Sequence, residues 1–179
     1  LGALLITYAT RKVEHVEAFI GMLYALGASS IMILLASSPQ GAELFQKLAA
    51  TDILFTSPEE IYPSALLYVC VALVMFVVYP KTTGLTRELT FFSMLAVTVT
   101  SSVQLAGVLV VFVLLVAPAF IALSQKRFKP LYLAWTSGLS ISLVALVVSY
   151  YFDLPTGYSI IFFQSIAVVI FTLLVRKRA

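Results

Sequence analysis

A chain of 179 residues that is 61% hydrophobic, 11% charged and has a mean hydropathy of +1.07 cannot cover a globule with polar surface, since a soluble domain carries about 25% charged residues. It is an integral membrane protein. Its net charge of +3 sits in short basic clusters between apolar runs, which argues against nucleic-acid binding, and the single Cys70 excludes a disulfide framework.

The first residues, LGALLITYAT ending in Arg11-Lys12, lack the leading charge of a signal peptide and read as the tail of a membrane helix that begins earlier. Uncharged runs follow at Ala18–Gly41, Ile61–Pro80, Leu89–Gln125, Pro130–Phe152 and Leu154–Val175, each long enough to span a bilayer. The third run is too long for one crossing. As a single helix it would measure roughly 50 Å against a hydrocarbon core of about 30 Å.

Charge decides between one tilted crossing and two. Lys and Arg in short loops stay on the cytoplasmic side. With Arg11-Lys12 inside, a single crossing of Leu89–Gln125 would put Lys126-Arg127-Lys129 and the terminal Arg176-Lys177-Arg178 outside and Asp153 inside. Two crossings put every basic cluster inside, and the acidic Glu43–Glu60 segment and Asp153 outside. The double crossing is therefore expected, with the chain turning near Ser101-Ser102-Val103-Gln104-Leu105-Ala106-Gly107, where hydroxyls, an amide and a glycine can serve freed backbone groups. Each arm would hold about 16 residues, so at least one arm is expected to be a short helix enclosed by neighbours.

The expected fold class is thus all-α: a polytopic helical bundle of about six membrane segments plus the N-terminal remnant, with a re-entrant-like pair of short arms over 90–124, all in one domain spanning 1–179. Small-residue ridges at Ala134, Gly138, Ser142, Ala145 and Ser149, and at Gly21, Ala25, Ala28 and Ser29, predict close helix contacts. Alanine at a ridge glycine such as Gly138 is expected to be milder than valine at Gly107. Pro118 predicts a kink.

The membrane runs contain no Asp, Glu, Lys, Arg or His, which weighs against a proton-translocating or proton-coupled chain. There is no phosphate-cradling glycine loop and no nucleophile–base pair, so no catalytic site is expected. Glu14-His15-Glu17 reads as a solvated loop before it reads as a metal site, because transition metals want several convergent donors. Along the first arm Ser93, Thr100, Ser101 and Gln104 form a polar stripe; interhelical hydrogen bonding is its plain reading, lining a pathway the sharper one. Gly107 and Pro118 belong to the same candidate pathway. Asp52 and Asp153, at the outer edge, are candidates for attracting a cation or docking a partner, or simply for ending helices.

The order of motifs resembles a known family. VxxAGVLVVFVLLVAPAFIAL, a basic loop, then a Ser/Gly-rich helix ending SYYFDLPTGYSII is similar to the permease subunits of ABC importers for zinc, manganese or iron. In that family a glycine-centred reversal precedes an apolar arm ending Pro-Ala-x-x-Ala, here Pro118-Ala119-Phe120-Ile121-Ala122, and the next helix closes on an Asp/Pro/Gly turn, here Asp153-Leu154-Pro155-Thr156-Gly157. VEAFIGMLYALGAS and TDILFTSPEEI resemble its upstream helix and outer segment, with Thr51 where glycine is common.

The family runs longer at its amino end, where an Asp/Ser/His segment thought to line the metal path lies outside this sequence. Its cytoplasmic coupling loop, built around Ala-x-x-x-Gly, matches a shortened Tyr79–Thr90 connection in which Gly84 fits the glycine and Pro80 replaces the alanine. The resemblance implies an ATP-driven importer subunit in the bacterial cytoplasmic membrane, with Lys81, Gly84 and Arg87 at the coupling loop. It implies no resident cofactor in this chain, a divalent metal ion as cargo, a cytoplasmic ATP-binding subunit that performs the hydrolysis, an extracytoplasmic metal-binding protein and a homodimeric pore. A secondary carrier with a broken helix and a non-transporting membrane assembly subunit are the alternatives.

Overall fold

A computed structural model describes residues 16–38, 41, 58–125 and 129–175. All regular structure among them is helical: α1 (Val16–Ala36), α2 (Pro58–Leu73), α3 (Gly84–Ala106), α4 (Val108–Leu123), α5 (Pro130–Phe152) and α6 (Thr156–Val175). Five spans are long and apolar enough to cross a membrane, and α4 is a shorter apolar helix. The chain divides into two compact units, Leu1–Ala50 with Phe112–Ala179, and Thr51–Val111.

In the first unit α6 is the central helix, packed along both α1 and α5. Ile160, Ile161 and Val168 are buried on it, and so are Ser159, Gln164 and Ser165. Both small-residue ridges face inward. Ala25 and Ser29 on α1, and Ala145 and Ser149 on α5, are buried. A Cβ built on Gly21 would lie 2.8 Å from the Phe112 ring, and one on Gly138 would lie 2.9 Å from Pro118 Cγ. These glycines let backbones approach where lipid offers no hydrophobic drive.

The opposite face of α5 carries Tyr132, Trp135, Leu139, Leu143, Leu146 and Tyr150, all exposed at three- and four-residue spacing. Its aromatic ends, Tyr132 and Tyr150, are roughly 27 Å apart along the helix axis. That matches aromatic belts at the two surfaces of a hydrocarbon layer about 30 Å thick.

The start of α1 and the end of α4 lie together: Val16, Glu17 and Ala18 share a groove with Ala119, Phe120 and Leu123, while Phe112 meets Gly21 further along. The two helices are therefore antiparallel, and α4 ends on the side of the membrane where α1 begins.

The second unit contains a helical pair, α2 against α3, whose outward faces carry exposed apolar residues such as Leu66, Phe76 and Phe92. Here the structure differs from the sequence reading. The connection expected from Lys81 to Glu88 is largely helical: α2 runs into a π segment, Val74–Val78, then a 3-10 turn, Tyr79–Lys81, and α3 already begins at Gly84. Charged Arg87 and Glu88 sit in the first turns of α3, because a helix can carry charge at the membrane surface that it cannot carry at the centre.

The two arms are consequently unequal. α3 has 23 residues, enough for a full span, whereas α4 has 16. Only α4 is a short arm, and it is partly enclosed: Val110, Val113, Ala117, Phe120, Ile121 and Ala122 are buried, whereas Val108, Phe112, Leu114, Leu115 and Leu123 are exposed.

Candidate functional site

The polar stripe of α3 is gathered into an open groove of about 470 Å³ between α2 and α3. Thr100, Ser101 and Gln104 line one wall and Pro63, Ser64 and Leu67 the other. Periodicity explains the α3 wall, since positions 100 and 104 lie one helical turn apart and 101 is adjacent on the same side. Ser93 shares that face but lies beyond the groove lining. Beside the groove, the Tyr68 hydroxyl and Ser102 Oγ are hydrogen-bonded at 3.0 Å, tying the two helices together.

Every polar group supplied by these walls is a neutral hydroxyl or amide. Such groups can exchange with water around a cation without trapping it in a deep charge well, the balance that a conducting path needs. Gln104 and Thr100 are exposed in the groove, whereas Ser101 is buried.

At the upper end of the stripe Gly107 breaks the helix with φ 84° and ψ 152°. This region of backbone space is essentially restricted to glycine. Its N–H donates to the Val103 carbonyl at 2.9 Å, and its own carbonyl accepts from the Val111 N–H at 3.2 Å. The expected turn over 101–107 thus reduces to one residue, because α3 stays helical through Ala106.

At the other end, Lys81 closes the 3-10 turn and is exposed. Thr82 and Thr83 are extended, with Thr82 Oγ1 donating to the Tyr79 carbonyl at 2.9 Å. Gly84 has φ 59° and open space where a Cβ would stand. The Arg87 guanidinium lies 4.7 Å from the centroid of the Tyr79 ring, a cation–π contact that pins the turn onto α3. Lys81, Gly84 and Arg87 therefore share one compact corner, in which two extended residues join the 3-10 turn to α3.

Asp153 terminates α5 in the left-handed region, φ 51° and ψ 44°, the single positive-φ non-glycine among the described residues. The N–H groups of Asp153 and Leu154 both donate to the Ser149 carbonyl, the latter at 3.0 Å. The Ser149 hydroxyl in turn donates to the Leu154 carbonyl at 2.7 Å, which leaves its oxygen to accept from Thr156 at 3.2 Å. Its carboxylate is exposed. Asp52, Glu14-His15 and Lys126-Arg127 lie outside the described residues.

Sequence reasoning missed Ser64 and Tyr68 on α2, and above all Gln164 on α6. The Gln164 side chain is fully buried; Nε2 donates to the Gly138 carbonyl at 2.9 Å and to Ser142 Oγ at 3.1 Å. Gly138 is also where Pro118 packs, so α4, α5 and α6 meet at one residue. The available signal was that Gln164 is the one amide in the last apolar run.

The profile of the ABC 3 transport family matches residues 79–175, which covers the coupling corner, α3, the Gly107 break and α4 to α6. The chain belongs to the ABC 3 transport family. A relative in Haemophilus influenzae, described as a probable iron transport system membrane protein, is 40% identical over 43% of this chain and 29% of its own length. A second, described as an uncharacterized membrane protein of Synechocystis sp., is 29% identical over 94% of this chain and 66% of its own length. The chain thus spans less than two thirds of either curated relative. No solved structure matches it.

Proposed function

We propose that this chain is the membrane permease subunit of an ATP-driven importer of a divalent transition-metal ion, in a bacterial cytoplasmic membrane. The observation that carries the reading is the family match over residues 79–175, which includes both the groove wall on α3 and the corner at Lys81–Arg87. Iron is the first cargo to test among iron, zinc and manganese, because the Haemophilus relative is described as an iron transport protein.

In this reading the ion moves along the neutral oxygens of Ser64, Thr100, Ser101 and Gln104, and a second copy of the chain closes the open side of the groove. A cytoplasmic ATPase engages the corner formed by Lys81, Gly84 and Arg87. An extracytoplasmic metal-binding protein delivers the ion, with Asp52 and Asp153 as the candidate residues for attracting the cation or docking that protein. The chain itself performs no hydrolysis.

The experiment is uptake of radioactive iron into vesicles that contain the chain with its co-purified ATPase. Uptake should require ATP. Gln104→Leu should lower it several-fold without lowering the amount of inserted protein, because the amide is exposed in the groove and not buried in a helix contact. Uptake that is independent of ATP would point to a secondary carrier, and a chain that purifies only within a large non-transporting assembly would overturn the permease reading.

A further inference from the structure

Three polar side-chain atoms are buried without a hydrogen-bond partner among the described residues: Ser159 Oγ, Gln164 Oε1 and Ser165 Oγ, all on α6. They are not equivalent. A serine hydroxyl in a helix can turn onto the carbonyl one turn earlier, as Ser137 does at 2.7 Å and Thr172 at 2.8 Å in this same chain. A carboxamide oxygen is an acceptor only and must find a donor elsewhere.

The amide of Gln164 cannot escape by flipping, since its nitrogen already meets the Gly138 carbonyl and a flip would set two acceptors face to face. A second acceptor is released on the neighbouring helix α4. Pro118 has no N–H, so the carbonyl of Leu114 has no partner at its helical position, and Pro118 packs against the same Gly138 that Gln164 bonds. Gln164 Oε1 is an acceptor without a donor among the described residues, in a low-dielectric interior, and the carbonyl that Pro118 deprives of its helical donor belongs to the helix that packs at the same glycine.

We propose that this contact is a binding site for a single ordered water, which donates one hydrogen to Gln164 Oε1 and the other to the Leu114 carbonyl. A water fits better than a cation: the oxygens here are neutral and few, and a metal ion would lose more hydration than they return. Interior waters of this kind make about three hydrogen bonds and commonly occupy breaks in the helical ladder. The break that Pro118 makes in the hydrogen-bond ladder of α4 is then filled by a bound water, and the inference stands whatever the cargo.

Water-edited solid-state NMR on the full chain in lipid vesicles tests it. Polarisation from water should reach the side-chain amide of Gln164 as fast as that of Gln104, which is exposed in the α2–α3 groove. Build-up at Gln164 as slow as at the backbone of buried Val113 would overturn the proposal. Pro118→Ala supplies an N–H to the Leu114 carbonyl and should slow the Gln164 build-up several-fold. An unchanged build-up in that variant would show that the water is not held at the proline break, and the proposal would fall.

Discussion

Replacing Gly107 tests the central topological feature of the chain. At φ 84° and ψ 152° a side chain meets a backbone region that is essentially reserved for glycine, at a cost of about 1–3 kcal/mol. The two hydrogen bonds of Gly107, to Val103 and from Val111, fix both flanking helices, so relaxation to negative φ would sacrifice one of them. About 2 kcal/mol is a factor of roughly thirty in the folded-to-unfolded ratio, a large share of the total for a marginally stable protein. Gly107→Val should therefore reduce the yield of monodisperse protein in mild detergent, lower its thermal midpoint and abolish uptake. Gly27→Ala is the matched control, because a Cβ there meets nothing and the residue lies within α1, where alanine is favoured by up to about 1 kcal/mol. A Gly107→Val protein as stable as the Gly27→Ala protein would show that the break does not depend on glycine geometry.

Other consequences are as direct. With Cys70 replaced, a cysteine at Lys126 should react only with reagent on the cytoplasmic side and one at Asp153 only from outside; labelling of position 126 from outside would restore a single tilted crossing. Gly84→Leu meets no neighbour but forces a branched residue to φ 59°, so it should weaken ATP hydrolysis coupled to transport while leaving membrane insertion intact, read in the reconstituted complex. Gly138→Ala, which looks mild on sequence grounds, places a Cβ 2.9 Å from the Pro118 ring and should cost about 1–3 kcal/mol, measured as a fall in thermal midpoint.

What was legible in the sequence follows the physics of each feature. Hydropathy placed Pro130–Phe152 as the structure has it and missed the start of α6 by the width of the Leu154-Pro155 turn, because burial in lipid is a property of composition. The small-residue ridges were legible for the same reason: few other residues let helices touch. The start of α3 was not, since the run was ended at Arg87-Glu88 while the helix continues past the charges to the interface. The π turn at Val74–Val78 changes hydrogen-bond register without changing polarity, so no compositional signal marks it, whereas the 3-10 turn that follows carries Pro80 and Lys81. Gln164 escaped because one amide in an apolar run carries no pattern; its importance depends on the carbonyl of Gly138, which only the packing of α5 against α6 brings near.

The short α4 shows how these levels combine. Its 16 residues extend about 24 Å, less than the hydrocarbon thickness of about 30 Å. Facing lipid, such a helix would draw the bilayer inward or leave backbone groups in hydrocarbon. Buried residues recur along it from Val110 to Ala122, so protein covers part of it, while Val108, Leu115 and Leu123 stay exposed. Gly107 separates α3 from α4 while both its N–H and its carbonyl stay hydrogen-bonded, to Val103 on one side and Val111 on the other. The charge pattern predicts two crossings, and α4 runs antiparallel to α1 where Phe112 meets Gly21. Only a residue without a side chain readily adopts the Gly107 conformation, φ 84° and ψ 152°, with its own bonds intact.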